Sequence, residues 1–356
     1  MFSANRLQFI KKYFKGAEPM ALIYFVTKAC NCACDHCFYW ESLNKPRNQE
    51  LTLDEIKEIA AKMGKLLYLR LSGGEPFIRD DLFELVEVFV KQCKPSYVGI
   101  PSNGFFVERI VDFAKKAATL DTRVEIGISI DDLDTKHDEI RKCVGLFEKA
   151  MKTFQALKEV KRTSKNLGIG FIVTAMKSNQ DRLQPLFEYL SSLQPDSIAC
   201  NIIRDNTKVT DEKGIDLDFV YQFAKRCDQY NENMSKPKKT FFDKMRHVKT
   251  LKAHEVRERT AKTNQFQIPC VAGDKIVVMY PEGEVAPCET LKDEIGNIRD
   301  FGYDMKKLLQ SQCAVGIRKK IRDEKCFCTH ECFTSASLIF SKRQLFKIMI
   351  KSLFSH

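Results

Sequence analysis

The apolar run Ala21-Leu22-Ile23-Tyr24-Phe25-Val26, followed closely by Cys30-Asn31-Cys32-Ala33-Cys34-Asp35-His36-Cys37, decides how the rest of this chain is read. An unbroken apolar run is the pattern of a strand covered on both faces. The loop that leaves it is crowded with thiols. Cys30, Cys34 and Cys37 are separated by three and then two residues. That spacing lets a short loop wrap one face of a cuboidal iron–sulfur cluster with three thiolates and leaves the fourth iron open for chemistry. A zinc site or plain buried thiols would also suit cysteines so placed. Cys32 is the extra thiol and is expected to face the other way.

Downstream, strands and helices alternate. Thr52-Leu53-Asp54-Glu55 is a capping box that opens a helix through about Met63. Residues 66–71 read as a buried strand, followed by Ser72-Gly73-Gly74-Glu75-Pro76-Phe77 and an amphipathic helix over 81–93. Strands over 97–101, 124–130, 168–175 and 197–203 alternate with helices over 106–118, 145–160 and 181–193. Such alternation implies parallel strands joined by right-handed crossovers. Six strands are too few for a closed eight-stranded barrel, so the expected fold is α/β, an open partial (β/α)6 barrel. In such folds ligands sit at the carboxyl ends of the strands. The cysteine loop, Gly73-Gly74-Glu75, Ser102-Asn103-Gly104 and Ser129 to Asp131 all fall at such ends.

Composition narrows the class. The 356 residues are 44% hydrophobic and 29% charged, which suits a folded chain with a substantial core. Fourteen cysteines without a secretory h-region or cleavage site point to a reducing cytoplasm and metal-bound thiolates, not disulfides. No apolar run is long enough to span a bilayer. The formal charge of +11 suggests anionic partners or an excess of surface lysine.

Five segments are expected: a basic amphipathic segment over 1–18, the barrel over 19–205, a basic helical connector over 206–265, a small β-hairpin plus helix domain over 266–335, and a basic amphipathic tail over 336–356. The connector's Lys236, Lys238, Lys239, Lys244, Arg246, His247, Lys249 and Lys252 suit an anion-binding helix or a solvated face. In the small domain, Cys270 precedes a strand over 275–280, a turn at Pro281-Glu282-Gly283 and a second strand ending at Cys288. A hairpin so flanked brings two thiolates together as half of a metal site. Cys326, Cys328 and Cys332 are candidates for the other half, with Cys328 and Cys332 favoured; zinc is the alternative occupant. Cys93, Cys143, Cys200, Cys227 and Cys313 read as ordinary buried thiols. The ends, residues 2–15 and 337–356, interleave aromatic and aliphatic side chains with lysine and arginine, which suits an acidic membrane surface or packing on the protein's own body.

Cys30, Cys34 and Cys37 after a first strand, with Gly73-Gly74-Glu75-Pro76 after a second, resemble the radical S-adenosylmethionine (radical SAM) enzymes over residues 20–203. Cys270, Gly283, Cys288, Gly296-Asn297-Ile298 and the late cysteines resemble the auxiliary-cluster extension called SPASM in its shortened twitch form, with one auxiliary cluster. The resemblance implies that Cys30, Cys34 and Cys37 hold a [4Fe–4S] cluster whose open iron chelates S-adenosylmethionine. It implies that Gly73, Gly74 and Glu75 line the methionine moiety, with the Glu75 carboxylate suited to its ammonium group. Asn103, Ser129 and Asp131 would meet the ribose, Arg141 the methionine carboxylate, and His36 the adenine. Reductive cleavage would then give a 5′-deoxyadenosyl radical that abstracts hydrogen from a peptide, sugar or lipid-linked substrate.

The partners expected are a small-molecule or peptide substrate, an electron donor such as flavodoxin or ferredoxin, and peripheral contact with the inner membrane surface; nucleic acid is not expected. The competing class is a non-catalytic zinc- or iron–sulfur-containing binding protein for an anionic partner. That class leaves Gly73-Gly74-Glu75-Pro76 unexplained.

Overall fold

Strand β1 (Ala21–Phe25) is buried along its whole length, as its apolar run demands. It pairs in parallel with β2 (Tyr68–Ser72) on one side and with β7 (Ile276–Met279) on the other. The computed structural model describes Tyr13 and residues 18–46, 49–204, 206–209, 214–234, 240–291 and 293–354. The basic helix expected over 2–15 lies outside the described residues except for Tyr13, as do Lys236, Lys238 and Lys239 of the connector.

From β1 the chain runs through α1 (Leu53–Met63), β2, α2 (Leu82–Cys93), β3 (Tyr97–Ser102), α3 (Val107–Ala117), β4 (Arg123–Ser129), α4 (Asp134–Arg141), α5 (Leu146–Lys161), β5 (Leu167–Ala175), α6 (Leu183–Ser192) and β6 (Ser197–Ile202). All six of these strands are parallel, and the sheet order is β6-β5-β4-β3-β2-β1-β7-β8-β9. The sheet is open, as expected for a partial barrel. The C-terminal hairpin, β7 with β8 (Glu284–Ala286), is antiparallel within itself, yet β7 joins β1 directly and so continues the barrel sheet. Strand β9 (Gly296–Asn297) closes that edge.

The two faces of the sheet differ sharply. Leu22, Tyr24, Leu69, Leu71, Val98, Ile100, Ile126, Ile128, Ile169 and Phe171 are buried on the face that carries the helices. Phe154 of α5 stacks on Phe171 at 4.5 Å between ring centroids. The register puts Arg70, Gly99, Glu125 and Gly168 together on the opposite, concave face, with Gly127, Gly170 and Ser197 one step along. Small and polar residues there leave room inside the barrel, while burial of the apolar face stabilises the sheet by roughly 25 cal/mol per Å² removed from water.

Helices α7 (Leu217–Met234) and α8 (Phe241–Thr263) form the connector, and α9 (Met305–Gln310), α10 (Gln312–Asp323), α11 (Glu331–Phe340) and α12 (Lys342–Leu353) complete the chain. The connector is more than a solvated face. Val248, Ala253 and Val256 of α8 join Ile268, Leu338 and Ile348 in a second apolar core. His247 and His254 of α8 pair with Glu232 and Asp228 of α7. The tail therefore docks on the body through Gln344, Ile348 and Ser352, while Phe346, Ile350, Leu353 and Phe354 stay exposed.

Candidate active site

The cysteine loop is held from all sides before any thiol is considered. Gly74 N donates to Thr27 O and Glu75 N donates to Ala29 O, each at 2.8 Å, so the end of β2 is laced to the start of the loop. A Cβ on Gly74 would lie 1.9 Å from Ala29 O, and one on Gly73, whose φ is +114°, 2.5 Å from Thr27 O. Glycine is required here because two backbones touch. Asn44 clamps Cys30 by accepting from its N–H at 3.0 Å and donating to its carbonyl at 3.1 Å. Glu50 accepts from Thr27 Oγ1 and Lys28 N. Neither Asn44 nor Glu50 stands out in the sequence, because both act on backbone far from them in number.

Cys30, Cys34 and Cys37 line one cavity of about 200 Å³ with His36, Gly73, Gly74, Glu75, Asn103, Ser129 and Arg141. Cys32 corrects the sequence reading: it lines the same cavity instead of turning away, and its Sγ accepts from Asn103 Nδ2 at 3.3 Å. Hydrogen bonding to Cys32 lowers the pKa of Cys30 and brings that of Cys34 down to about 6, whereas burial pushes Cys37 up to about 12.

Glu75 lines the cavity, but its carboxylate is engaged by protein donors. Oε1 accepts from Phe77 N at 3.2 Å and Ser102 Oγ at 2.9 Å, and Oε2 accepts from Asn103 N at 2.7 Å. It splices the ends of β2 and β3 together, and burial raises its pKa to about 7. Asp131 also departs from expectation. It is fully buried behind the cavity wall, where it takes Arg141 through Nε and a terminal nitrogen at 2.8 Å each and accepts from Thr174 N. Asp131 therefore fixes the Arg141 side chain and, at 3.5 Å, holds His36 through Nε2. Helix α4, which carries Arg141, escapes a periodicity search because DTKHDEIR has almost no apolar face.

A second cavity, about 270 Å³ on the concave face of the sheet, shares Ser72, Pro101, Ser129, Thr174, Asn201 and Arg204 with the first. The two form one continuous space from the cysteine loop into the barrel.

The late cysteines divide between two places. Cys270, Cys288, Cys326 and Cys328 line a separate cavity of about 100 Å³. Cys332, one of the two favoured from sequence, lines the barrel cavity instead. It opens α11, so its side chain leaves the loop that carries Cys326 and Cys328. Burial raises the pKa of all five thiols. Among the other cysteines, Cys93, Cys200 and Cys227 are buried, but Cys313 is exposed and Cys143 half-buried.

Residues 24–188 match the model of the radical SAM superfamily. The pre-heme d1 synthase of Dinoroseobacter shibae is 30% identical over 168 residues, 47% of this chain and 39% of the relative. The antilisterial bacteriocin subtilosin biosynthesis protein AlbA of Bacillus subtilis is 23% identical over 291 residues, 80% of this chain and 59% of the relative. The chain thus spans less than two thirds of either curated relative. Among solved structures, Streptococcus suis SuiB bound to S-adenosylmethionine superposes with a TM-score of 0.63 at 16% identity, covering 88% of this chain and 71% of SuiB. That likeness extends the shared fold beyond the matched segment. The cysteine loop and the Gly73-Gly74-Glu75 turn thus meet on adjacent strands inside the segment, residues 24–188, that matches the radical SAM superfamily model.

Proposed function

We propose that this protein is a radical SAM enzyme that modifies a peptide. The observation that carries the enzyme reading is the convergence of Cys30, Cys34 and Cys37 with Gly73, Gly74, Asn103, Ser129 and Arg141 on one cavity open to the barrel. The residue types fit the implied group: three thiols at the required sequence spacing line the space, and His36 Nδ1 is a buried polar atom without a protein partner among the described residues. Cys30, Cys34 and Cys37 would hold the [4Fe–4S] cluster. When bound, the cluster and S-adenosylmethionine supply one-electron cleavage and hydrogen-atom abstraction.

The chain's own residues position and enclose. The Gly73-Gly74 backbone permits close approach of the methionine moiety. Arg141, held by Asp131, offers a guanidinium to a carboxylate, and Asn103 and Ser129 offer short polar groups to a ribose. The barrel wall orients the substrate and keeps water from the reacting centre. Cys270, Cys288, Cys326 and Cys328 are proposed as the four ligands of one auxiliary cluster.

A peptide substrate is supported by AlbA's role in bacteriocin biosynthesis and by the structure of SuiB bound to its precursor peptide SuiA. A flavodoxin or ferredoxin is proposed as electron donor. The exposed Phe346, Ile350, Leu353 and Phe354, with Lys347 and Lys351 between them, are proposed to touch an anionic membrane surface. No helix among the described residues is long and apolar enough to cross a membrane.

Anaerobic reconstitution with iron and sulfide, followed by measurement of 5′-deoxyadenosine under reductant, tests the enzyme reading. Release that disappears when Cys30, Cys34 and Cys37 are all replaced by alanine is expected. A colourless, zinc-loaded protein that leaves S-adenosylmethionine intact overturns it.

A further inference from the structure

Arg70 stands at the middle of β2 on the concave face, with Ile23 and Gly99 as its register neighbours. Its position in the sheet is central, yet it is the exposed residue of its strand because it projects into the barrel cavity. Among the described residues the Arg70 guanidinium makes no hydrogen bond and no ion pair; its carbon lies 5.9 Å from the centroid of the Tyr97 ring, and Cys332 is the group whose field acts on it most strongly. The other charges of the cavity are already paired. Glu125 receives Arg123 at 3.3 Å and the Ser197 hydroxyl at 2.9 Å. Glu331 receives Arg257 at 3.1 Å, and Arg204 and Glu289 hold each other. A second cation stands near: the pKa of Lys249 is lowered chiefly by burial and further by the field of Arg70.

The fields of Cys332 and Glu125 favour the charged form of Arg70, but neither group touches its donors, which are left open to an incoming oxyanion. The planar fork matches carboxylate and phosphate geometry in bidentate fashion. Gly99 and Gly127 line the same cavity, and their missing side chains make room for the Tyr97 ring and Ile172 that pack beside them. Three residue steps take the chain from Arg70 to Gly73, about 10 Å at 3.3 Å per residue. A group bound at Arg70 would thus lie one short substrate's length below the cysteine cavity.

We propose that Arg70 is the substrate's anchor: it binds a carboxylate or phosphate oxyanion and so holds the atom to be attacked at the cysteine end of the barrel. The proposal rests on the radical SAM reading and adds the substrate's chemical class, an acid whose charge lies roughly 10 Å from the reacting C–H bond.

Sodium acetate and inorganic phosphate are the probes, titrated calorimetrically into the cluster-loaded full chain. Wild type is expected to bind one or both saturably, and the preferred probe names the anion as carboxylate or phosphate. Arg70→Met should weaken that binding at least tenfold, Arg70→Lys should restore part of it, and Glu125→Gln should tighten it by removing a competing negative charge. If Arg70→Met fails to fold, the opposed shifts of Arg70→Lys and Glu125→Gln decide the matter. Absence of binding to wild type, or equal binding by wild type and the Arg70 variants, overturns the anchor. Measuring 5′-deoxyadenosine release by wild type in parallel separates the two readings. Anion binding at Arg70 without any S-adenosylmethionine cleavage sinks the enzyme assignment alone, whereas cleavage with Arg70-independent binding sinks the anchor alone.

Discussion

Arg204, just past β6, and Glu289, the residue after Cys288, form a buried ion pair that joins the mouth of the barrel to the cavity of the late cysteines. The Arg204 guanidinium also lies over Phe38, its carbon 4.2 Å from the ring centroid, next to Cys37. One side chain therefore touches the surroundings of both thiol groups. Removing Glu289 leaves that cation without its anion inside the protein, so Glu289→Ala should lose roughly 3–5 kcal/mol in urea unfolding, and Glu289→Gln less. A loss below about 1 kcal/mol would put this pair in the class of exposed ones.

Gly74→Ala places a methyl group against Ala29 O, which must move, and the cysteine loop moves with it. Far-ultraviolet circular dichroism should remain that of wild type, while iron per chain after reconstitution should fall by about half, since one of the two proposed four-iron sites is disturbed. Full iron loading in this variant would show that the loop adapts.

The separation of Cys332 from Cys326 sorts the late thiols by experiment. Cys326→Ser should lower the iron content by about four per chain, whereas Cys332→Ser should leave it unchanged. The reverse result would return Cys332 to the ligand set.

Glu55 closes the capping box of α1 and receives Arg299 at 2.6 and 3.1 Å, fastening the first helix to the hairpin segment. Hydrogen bonding from Arg299 lowers its pKa from 4.5 to about 2. A lowered carboxyl pKa contributes stability that is complete above the unfolded value and is lost as pH falls through the folded one. The stability difference between wild type and Glu55→Gln should accordingly be full near neutral pH and shrink as pH drops from about 4.5 toward about 2. A difference independent of pH would show that the charge is immaterial.

Helix α12 tests the membrane proposal best through its exposed face. Truncating it would also remove Ile348 from the second core, so Phe346→Asp with Leu353→Asp is the cleaner change. Sedimentation with anionic liposomes should fall several-fold while the unfolding midpoint stays put. Unchanged sedimentation would leave α12 as a packing helix.

The alternation of strands and helices is legible in this sequence because the apolar run at 21–26 reads as a strand covered on both faces, residues 66–71 read as a second strand despite the charge at Arg70, and the capping box at Thr52 marks its helix outright. The cysteine and glycine motifs are legible for the same local reason. What escapes is non-local. Nothing near Ile276 announces that it pairs with Ala21. The direction of Cys32 depends on Asn103, and the division of Cys326, Cys328 and Cys332 depends on where α11 begins. Glu75 reads as a ligand contact from its motif and lines the cavity, and what the motif does not disclose is that it also splices two strands, because its three donors lie in residues 77, 102 and 103.

The pairing of β7 with β1 also sets an order of assembly. As the chain leaves the ribosome, β1 appears first, and the strand that covers its second edge follows about 250 residues later. At about 5–20 residues per second, the interval is about 12–50 s. Through that time a wholly apolar strand presents open backbone along one edge to any neighbouring nascent chain. Closure of that edge therefore waits on the C-terminal segment, and the interval before it is when this protein most needs a chaperone.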